Sequence, residues 1–281
     1  MPVKQAHPVC FPFNGLNCAK FAAVILTDTH SHLYAEQFDE DRDEAIQRAL
    51  DGEISRIFLP NIDRSSIAAM HELANGHPDH FFPMMGIHPG SIQTDFEEEL
   101  AEAEKWLFEH PERYCAVGEI GIDLYWDKTY FRQQQIAFRR QIEWAKQLQK
   151  PIVIHARDSF DEIFEILDEV NDNSLTGVFH CFTGSIEQAM RIIAYGGFYV
   201  GLGGVSTYKK AGMNAVIPSI PMEKVVLETD SPYLSPTPKR GKRNESAYLR
   251  YIAQHVADLY QTSMEQLAEV TTANSYKLFG R

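Results

Sequence analysis

Two histidines one residue apart, in the stretch LTDTHSHLY at residues 26 to 34, follow directly on the apolar run Val24-Ile25-Leu26. Side chains of an extended strand alternate between its faces, so His30 and His32 point the same way and Asp28 shares that face. Two imidazoles on one face can grip one divalent ion. An isolated H-x-H is also what two ordinary polar residues look like where a strand runs out into a loop, so the rest of the chain has to decide.

Further metal-capable residues recur, each at the end of a short apolar run: His88 in MGIHPG, Glu119 in VGEIGID, His155 in IVIHARD, His180 in VFHCFTG and Asp230 in VLETDSPY. Singly, a histidine at a strand end satisfies a hydrogen bond, and a short polar residue there caps a helix, as expected of Asp158 and Ser185. As a set, imidazoles crowded at equivalent positions need a cation or a hydrogen-bond network to justify them. Four histidines and two carboxylates (His30, His32, His155, His180, Glu119 and Asp230) exceed what one tetrahedral ion takes. They suit two ions that share a carboxylate, and Glu119 is the natural bridge. Two ions about 4 Å apart can bind the attacking and leaving oxygens of a displacement at phosphorus and acidify a bound water, which is hydrolytic chemistry. Asp230 can ligate and also accept a proton from that water, or ligate only. His88 is expected to contact a substrate phosphate or to orient a ligand.

The elements that must carry these residues alternate along the chain. Short apolar runs at 24–29, 56–60, 81–87, 114–118, 152–154, 177–179, 197–202 and 224–227 predict strands. Between and after them, amphipathic stretches at 38–49, 65–75, 96–109, 131–149, 159–170, 186–195, 245–260 and 263–277 predict helices. Eight such repeats imply βαβ units and a single (β/α)8 TIM barrel with C-terminal helices, with a doubly wound open sheet as the alternative. The stripe Phe131, Ile136, Phe138, Ile142 and Ala145 is assigned to packing against the sheet. In a parallel barrel the active site lies at the carboxyl ends of the strands, where the seven residues above fall.

The run Lys239, Arg240, Lys242 and Arg243 follows the last strand and is expected to overhang the rim and bind phosphate; Arg157, two residues after His155, is expected to join it or to pair with a carboxylate. Tyr125, Trp126 and Tyr233 near the rim are candidates for stacking on a terminal base or for loop packing. Cys181 beside His180 is expected to turn away from the ligand face as a small buried hydrophobe.

The bounds are those of an ordinary globular chain: 281 residues, 44% apolar and 23% charged. A formal net charge of -13 argues against coating nucleic acid by bulk electrostatics but leaves room for a local basic patch. Cys10, Cys18, Cys115 and Cys181 are scattered, which fits a reducing compartment, and the expectation is a cytoplasmic protein with no membrane span and no obligate protein partner. Residues 1–23 read as an extension of unknown role, interrupted by polar residues where a signal peptide would be apolar, ahead of a barrel at 24–281.

Taken together, DTHSH, GIHPG, VGEIGIDLYW, IHARD, FHCFTG, ETDSPYL and RGKRNE, in this order and spacing from about Thr27 onward, resemble the TatD family of metal-dependent deoxyribonucleases within the amidohydrolase superfamily. The resemblance implies a (β/α)8 barrel with a divalent-metal centre that hydrolyses DNA phosphodiesters, commonly as a 3′→5′ exonuclease. It implies one ion held by His30, His32 and Asp230, the other by His155 and His180, and Glu119 on both, with Asp230 and Glu119 in catalytic roles. DNA, single-stranded or at 3′ ends, is the implied substrate, with Mg2+ or Mn2+ for activity; the histidine-rich ligands also suit Zn2+. Ser246 stands where the family loop has proline, so the entry to the following helix is expected to differ. Barrel and metals do not define the substrate, so a hydrolase of a small ester, amide or phosphoester and a non-catalytic DNA-binding protein are the alternatives.

Overall fold

The computed structural model describes residues 25–125, 127–172 and 174–281. The expected extension and Trp126 lie outside the described residues. Eight strands, β1 (Leu26–Asp28), β2 (Ile54–Pro60), β3 (Phe81–Met84), β4 (Val117–Asp123), β5 (Ile152–Arg157), β6 (Gly177–Phe179), β7 (Phe198–Leu202) and β8 (Val225–Leu227), alternate with helices. The helices are α1 (Arg42–Asp51), α2 (Ile67–Gly76), α3 (Phe96–Glu109), α4 (Phe131–Leu148), α5 (Phe160–Val170), α6 (Ile186–Ala194), a single turn α7 (Met213–Val216), α8 (Leu249–Tyr260) and α9 (Met264–Phe279).

All ladders are parallel, in the orders β1-β2-β3 and β4-β5-β6-β7-β8. Single bridges join the two arcs, Met85 to Val117 between β3 and β4 and Ser31 to Ser231 between the ends of β1 and β8. The fold is a (β/α)8 barrel. Its strands read as near-continuous apolar runs because both faces are covered: Ile57, Phe58, Leu59, Ile152, Val153 and Ile154 are all fully buried.

Three local differences from the expected elements matter for the site. The strand expected at 114–118 lies at Val117–Asp123, so Glu119 sits inside β4 and Asp123 takes its carboxyl end. On α4, Phe138, Ile142 and Ala145 are buried but Ile136 is 40% exposed, and Gln134 and Gln141 are buried on the inner face. The amide of Gln134 bonds the backbone N–H and C=O of Asp123, and Gln141 does the same for Ile87, the residue before His88. Two buried glutamines therefore replace apolar contacts where α4 must satisfy backbone groups that no ladder bond reaches, at the end of β4 and just before His88. The helix expected at 245–260 starts at Leu249 after one 3-10 turn, Ser246–Tyr248, and the Ser246 hydroxyl turns inward onto Ser31 at 3.3 Å.

Asp158 is not a cap: Ser159 occupies the N-cap of α5, its hydroxyl taken by Arg157 N–H and Ile122 C=O. Ser185 does cap α6, in a reciprocal box with Gln188.

Gly121 is the closest approach in the barrel wall. Its φ is +145°, and a Cβ there would sit 2.0 Å from the carbonyl oxygen of His155, its ladder partner. Gly121→Ala must push β4 off β5 or abandon this backbone conformation, at an expected cost of about 2–4 kcal/mol. In a thermal melt this reads as a fall of roughly 5–15 °C; an unchanged melting temperature would show that the two strands have room to part.

Candidate metal centre

The ends of β1 and β8 meet at the barrel seam. Thr29 N–H bonds Leu227 C=O at 3.0 Å, Asp230 N–H bonds His30 C=O at 2.8 Å, and His32 N–H bonds Ser231 C=O at 2.7 Å. Asp28 does not join the histidines as its alternation suggested. Its fully buried carboxylate turns to β8 and accepts from Thr229 N–H at 2.9 Å and Thr229 Oγ at 2.6 Å. Burial pushes this carboxyl up to about 7 against those bonds. The clamp sets the register that brings His30, His32 and Asp230 to one point.

Glu119, 2% exposed, stands at the centre of the rim. Its Oε2 lies 3.1 Å from His30 Nε2 and 3.7 Å from His32 Nε2. Its Oε1 lies 2.7 Å from His180 Nε2, 3.0 Å from His155 Nδ1 and 3.5 Å from His88 Nε2. Asp230 Oδ1 completes the first side at 3.7 Å from His30 and 3.5 Å from His32. The six residues assigned from the sequence as ligands thus converge, one carboxylate oxygen of Glu119 toward each side. Burial pushes the Glu119 carboxyl up, but the facing imidazoles of His180, His88 and His30 hold it well below the usual carboxylate range.

Outer partners orient the rings. Tyr34 OH donates to Pro60 C=O at 2.5 Å and so accepts from His32 Nδ1 at 2.8 Å, which leaves His32 Nε2 with its lone pair toward Glu119. His155 Nε2 lies 2.8 Å from Asp123 Oδ2, the orientation in which Nδ1 offers its lone pair inward. Glu228, fully buried, approaches His180 Nδ1 at 3.6 Å from the outer side and accepts the backbone N–H of Cys181. His30 and His180 stack face to face, ring centroids 3.9 Å apart.

His88 differs. Its Nδ1 accepts Gly90 N–H at 2.9 Å, and burial lowers its pKa to about 3, so the ring is neutral and carries its proton on Nε2. That atom faces the site, 3.2 Å from His155 Nδ1 and 3.5 Å from Glu119 Oε1. The donor set fits divalent metal: His30, His32 and Glu119 form one group whose ligand atoms lie within 4.8 Å of one another, His30, His180 and Asp230 a second, and His88, Glu119 and His155 a third. Among the described residues His30 Nδ1, His180 Nδ1 and Glu228 Oε2 are buried without a hydrogen-bond partner. Buried carboxylates of this number need compensating positive charge, which divalent ions supply.

The site opens into a cleft of about 860 Å³. Arg157, brought to the rim by an extended β5, lines it, with its guanidinium 3.8 Å over the Tyr125 ring. Tyr233 and Leu234 form an exposed apolar lip. Cys181 also lines the cleft rather than turning away, because β6 ends at Phe179 and Cys181 takes φ +45°, where strand alternation no longer applies.

None of Lys239, Arg240, Lys242 and Arg243 lines the cleft. Arg243 pairs with Asp41 through both terminal nitrogens, bonds Gln37 C=O and covers the Phe38 ring, tying the loop to the approach to α1. Arg240 lies over Tyr208 and Lys239 over Tyr248. Asn244 and Glu245 of the same motif are internal: the Asn244 amide bonds Thr229 C=O and Tyr233 C=O, and Glu245 pairs with Arg48.

Sequence reasoning missed Asp123, Glu228, Tyr34, Gln134 and Gln141. Asp123 carried a usable signal, four residues after Glu119 in VGEIGID and thus on the same strand face once β4 is given its full length. Glu228, in VLETD, is two residues before Asp230.

A family model described as TatD related DNase matches residues 27–280. An uncharacterized metal-dependent hydrolase YabD of Bacillus subtilis is 39% identical over 256 residues, covering 91% of this chain and 99% of that protein. The 3′-5′ ssDNA/RNA exonuclease TatD of Citrobacter rodentium is 34% identical over 259 residues, covering 90% of this chain and 97% of that protein. The crystal structure of YJJV, a TatD homolog from Escherichia coli, matches with a TM-score of 0.86 at 28% identity, covering 91% of this chain and 98% of that one.

The seam clamp is testable apart from activity. Asp28→Ala leaves Thr229 N–H without its buried acceptor, an expected loss of about 2–4 kcal/mol in urea unfolding together with weaker Mn2+ binding. Asp28→Asn keeps the shape and one acceptor oxygen and is expected to recover most of both. An alanine variant equal to wild type in stability and Mn2+ affinity would show that the ligands hold their register without the clamp.

Proposed function

We propose, for a chain that belongs to the TatD-related DNase family of metal-dependent hydrolases, that it cleaves phosphodiester bonds of DNA from a free 3′ end, with two divalent ions held at the barrel rim. The observation that carries this reading is the division of Glu119, one oxygen toward His30 and His32 and the other toward His155 and His180. His30, His32 and Asp230 would hold one ion, His155 and His180 the second, and Glu119 both. A bound pair of ions supplies Lewis acidity at phosphate oxygens and acidifies a coordinated water.

The chain's own groups do the rest. Asp230 turns Oδ1 to His30 and His32, and its other oxygen takes the proton of the attacking water. His88 Nε2–H donates to a non-bridging phosphate oxygen as charge builds there, a donor held in place by the Gly90 bond and by Gln141 on the Ile87 backbone. Arg157 offers a planar guanidinium to a second phosphate oxygen. Tyr233 and Leu234 give a base an apolar surface that is indifferent to its identity. The apolar and aromatic lip admits an unpaired end more readily than a duplex, and the 3′-5′ ssDNA/RNA exonuclease named above supports the same polarity.

A small phosphoester is the second reading. It is favoured by one observation: among the described residues that line the cleft, Arg157 is the only lysine or arginine.

A 3′-labelled single-stranded oligomer, incubated with Mn2+ or Mg2+, is expected to release mononucleotides, to be spared by chelator, and to be spared by His180→Ala. No release from metal-loaded protein that does hydrolyse bis(p-nitrophenyl) phosphate would move the assignment to the small phosphoester. His88→Ala is expected to lower kcat about 10²–10³-fold with full metal content. Loss of metal from that variant would make His88 a ligand rather than a donor.

A further inference from the structure

The loops after β7 and β8 are where the chain's charge reverses. Residues 203–222 and 231–244 contain no aspartate or glutamate, in a chain with 39 of them, yet they carry Lys209, Lys210, Lys239, Arg240, Lys242 and Arg243. The two loops are fastened together. Thr237 N–H bonds Thr207 Oγ at 2.8 Å, Tyr208 OH donates to Ser235 C=O at 2.9 Å, and a Cβ on Gly204 would sit 1.9 Å from Leu234 C=O. The Arg240 guanidinium lies over the Tyr208 ring, 4.1 Å from its centroid, with Lys209 and Lys210 exposed next to Tyr208 in sequence. Lys239 sits 5.1 Å over Tyr248 and 5.6 Å from Tyr251. Arg243 is the exception, held by Asp41; among the described residues the other five cations have no carboxylate within ion-pairing distance.

We infer that this paired-loop surface, with Lys209, Lys210, Lys239, Arg240 and Lys242 interleaved with Tyr208, is a second phosphate-binding zone that holds the body of a single nucleic-acid strand while its end lies in the cleft. The inference rests on the nuclease reading above and adds to it a length requirement. Cations alternating with aromatic faces form the arrangement that tracks a single strand without regard to sequence. The zone begins at a suitable distance. Val205 and Leu234 line the cleft, and Tyr208 and Lys239 follow them by so few residues that chain reach puts them at most roughly 10 Å and 18 Å farther on. At the ~3.4 Å axial spacing of nucleotides in one strand this is at most about three to five nucleotides. The cleft itself needs no such cations, because the metal-binding carboxylates there attract phosphate only through the ions they hold.

The test uses the metal-loaded full chain and the triple variant Lys209→Gln/Lys210→Gln/Arg240→Gln, whose sites are on the surface; a matching thermal melt checks its fold. Binding of a fluorescein-labelled, hydrolysis-resistant phosphorothioate 12-mer is followed by anisotropy against salt. The variant is expected to bind at least tenfold more weakly at low salt, with a log–log salt slope shallower by about two, at ~0.7 per lost single-strand phosphate contact. The ratio of kcat/KM on a cleavable 12-mer to that on a dinucleotide is expected to fall about tenfold. Equal affinity and slope in variant and wild type would overturn the inference. So would an equal loss on 12-mer and dinucleotide, which would place these cations at the cleft. If the variant loses binding and slope as expected while wild type cleaves neither substrate, the strand surface stands and the nuclease reading fails.

Discussion

One buried carboxylate organises this molecule. Glu119 is almost fully enclosed, and an isolated ionised group there would cost several kcal/mol of desolvation. It remains ionised because imidazoles face both of its oxygens, and the set in turn calls for cations from outside the chain. Much of the surrounding backbone serves its placement. The register of β4 shifts against β5 between Val117 and Ile120, around Glu119. Glu119 N–H bonds Asn61 C=O at the end of β2, and the Asn61 amide reaches across to Gly86 C=O. Gly121, two residues on, lets β4 press against the backbone of His155, so that the bridge and one of its imidazoles share a rigid wall.

Closing the barrel and building the site are the same operation. The wall consists of two ladder arcs joined by single bridges, and the site lies over the joints. His30, His32 and Asp230 come from the two strands of the β8–β1 joint; His88 and Glu119 come from either side of the β3–β4 joint. At joints with few ladder bonds, side chains carry the pairing: Asp28 on Thr229, Ser31 on Ser231 and Ser246, Asn244 on Thr229 and Tyr233. Ser246 has a structural reason to be a serine. Its hydroxyl joins the serine cluster beneath the ligands, and the 3-10 turn it begins delays α8 by one turn.

The barrel and the convergence of six metal-capable side chains were legible because both follow from periodicity: eight apolar runs imply parallel strands, and parallel strands put their carboxyl ends on one rim. What failed to show depends on exceptions to periodicity. Asp28 obeyed the alternation expected of a strand, yet its carboxylate found donors on β8 rather than in the site. Cys181 left the alternation altogether through a left-handed backbone two residues past a short strand. Gln134 and Gln141 looked like surface residues of an amphipathic helix, while Ile136 looked like core, because helix spacing says which residues share a face but not where that face ends. A polar residue facing the sheet is justified only by unpaired loop backbone, which no local pattern reveals. Lys239, Arg240, Lys242 and Arg243 share a loop, and only the structure separates Arg243, paired with Asp41, from the others.

The charge arrangement follows from these two scales. On the function proposed above, a chain of net charge -13 must keep its repulsion away from the path of the strand. Physiological salt screens exposed charges beyond about 8 Å, so what a phosphate experiences is its immediate surface rather than the total. Inside the cleft that surface is acidic by necessity, since carboxylates are what hold divalent ions against competing water. Basic side chains placed among those carboxylates would pair with them and weaken both functions, as the Arg243–Asp41 and Arg48–Glu245 pairs illustrate toward the end of the loop after β8. Residues 203–222 and 231–244, which lie among Glu223, Glu228, Asp230 and Glu245, contain no acidic residue, the arrangement that would leave their cations available to the strand proposed above.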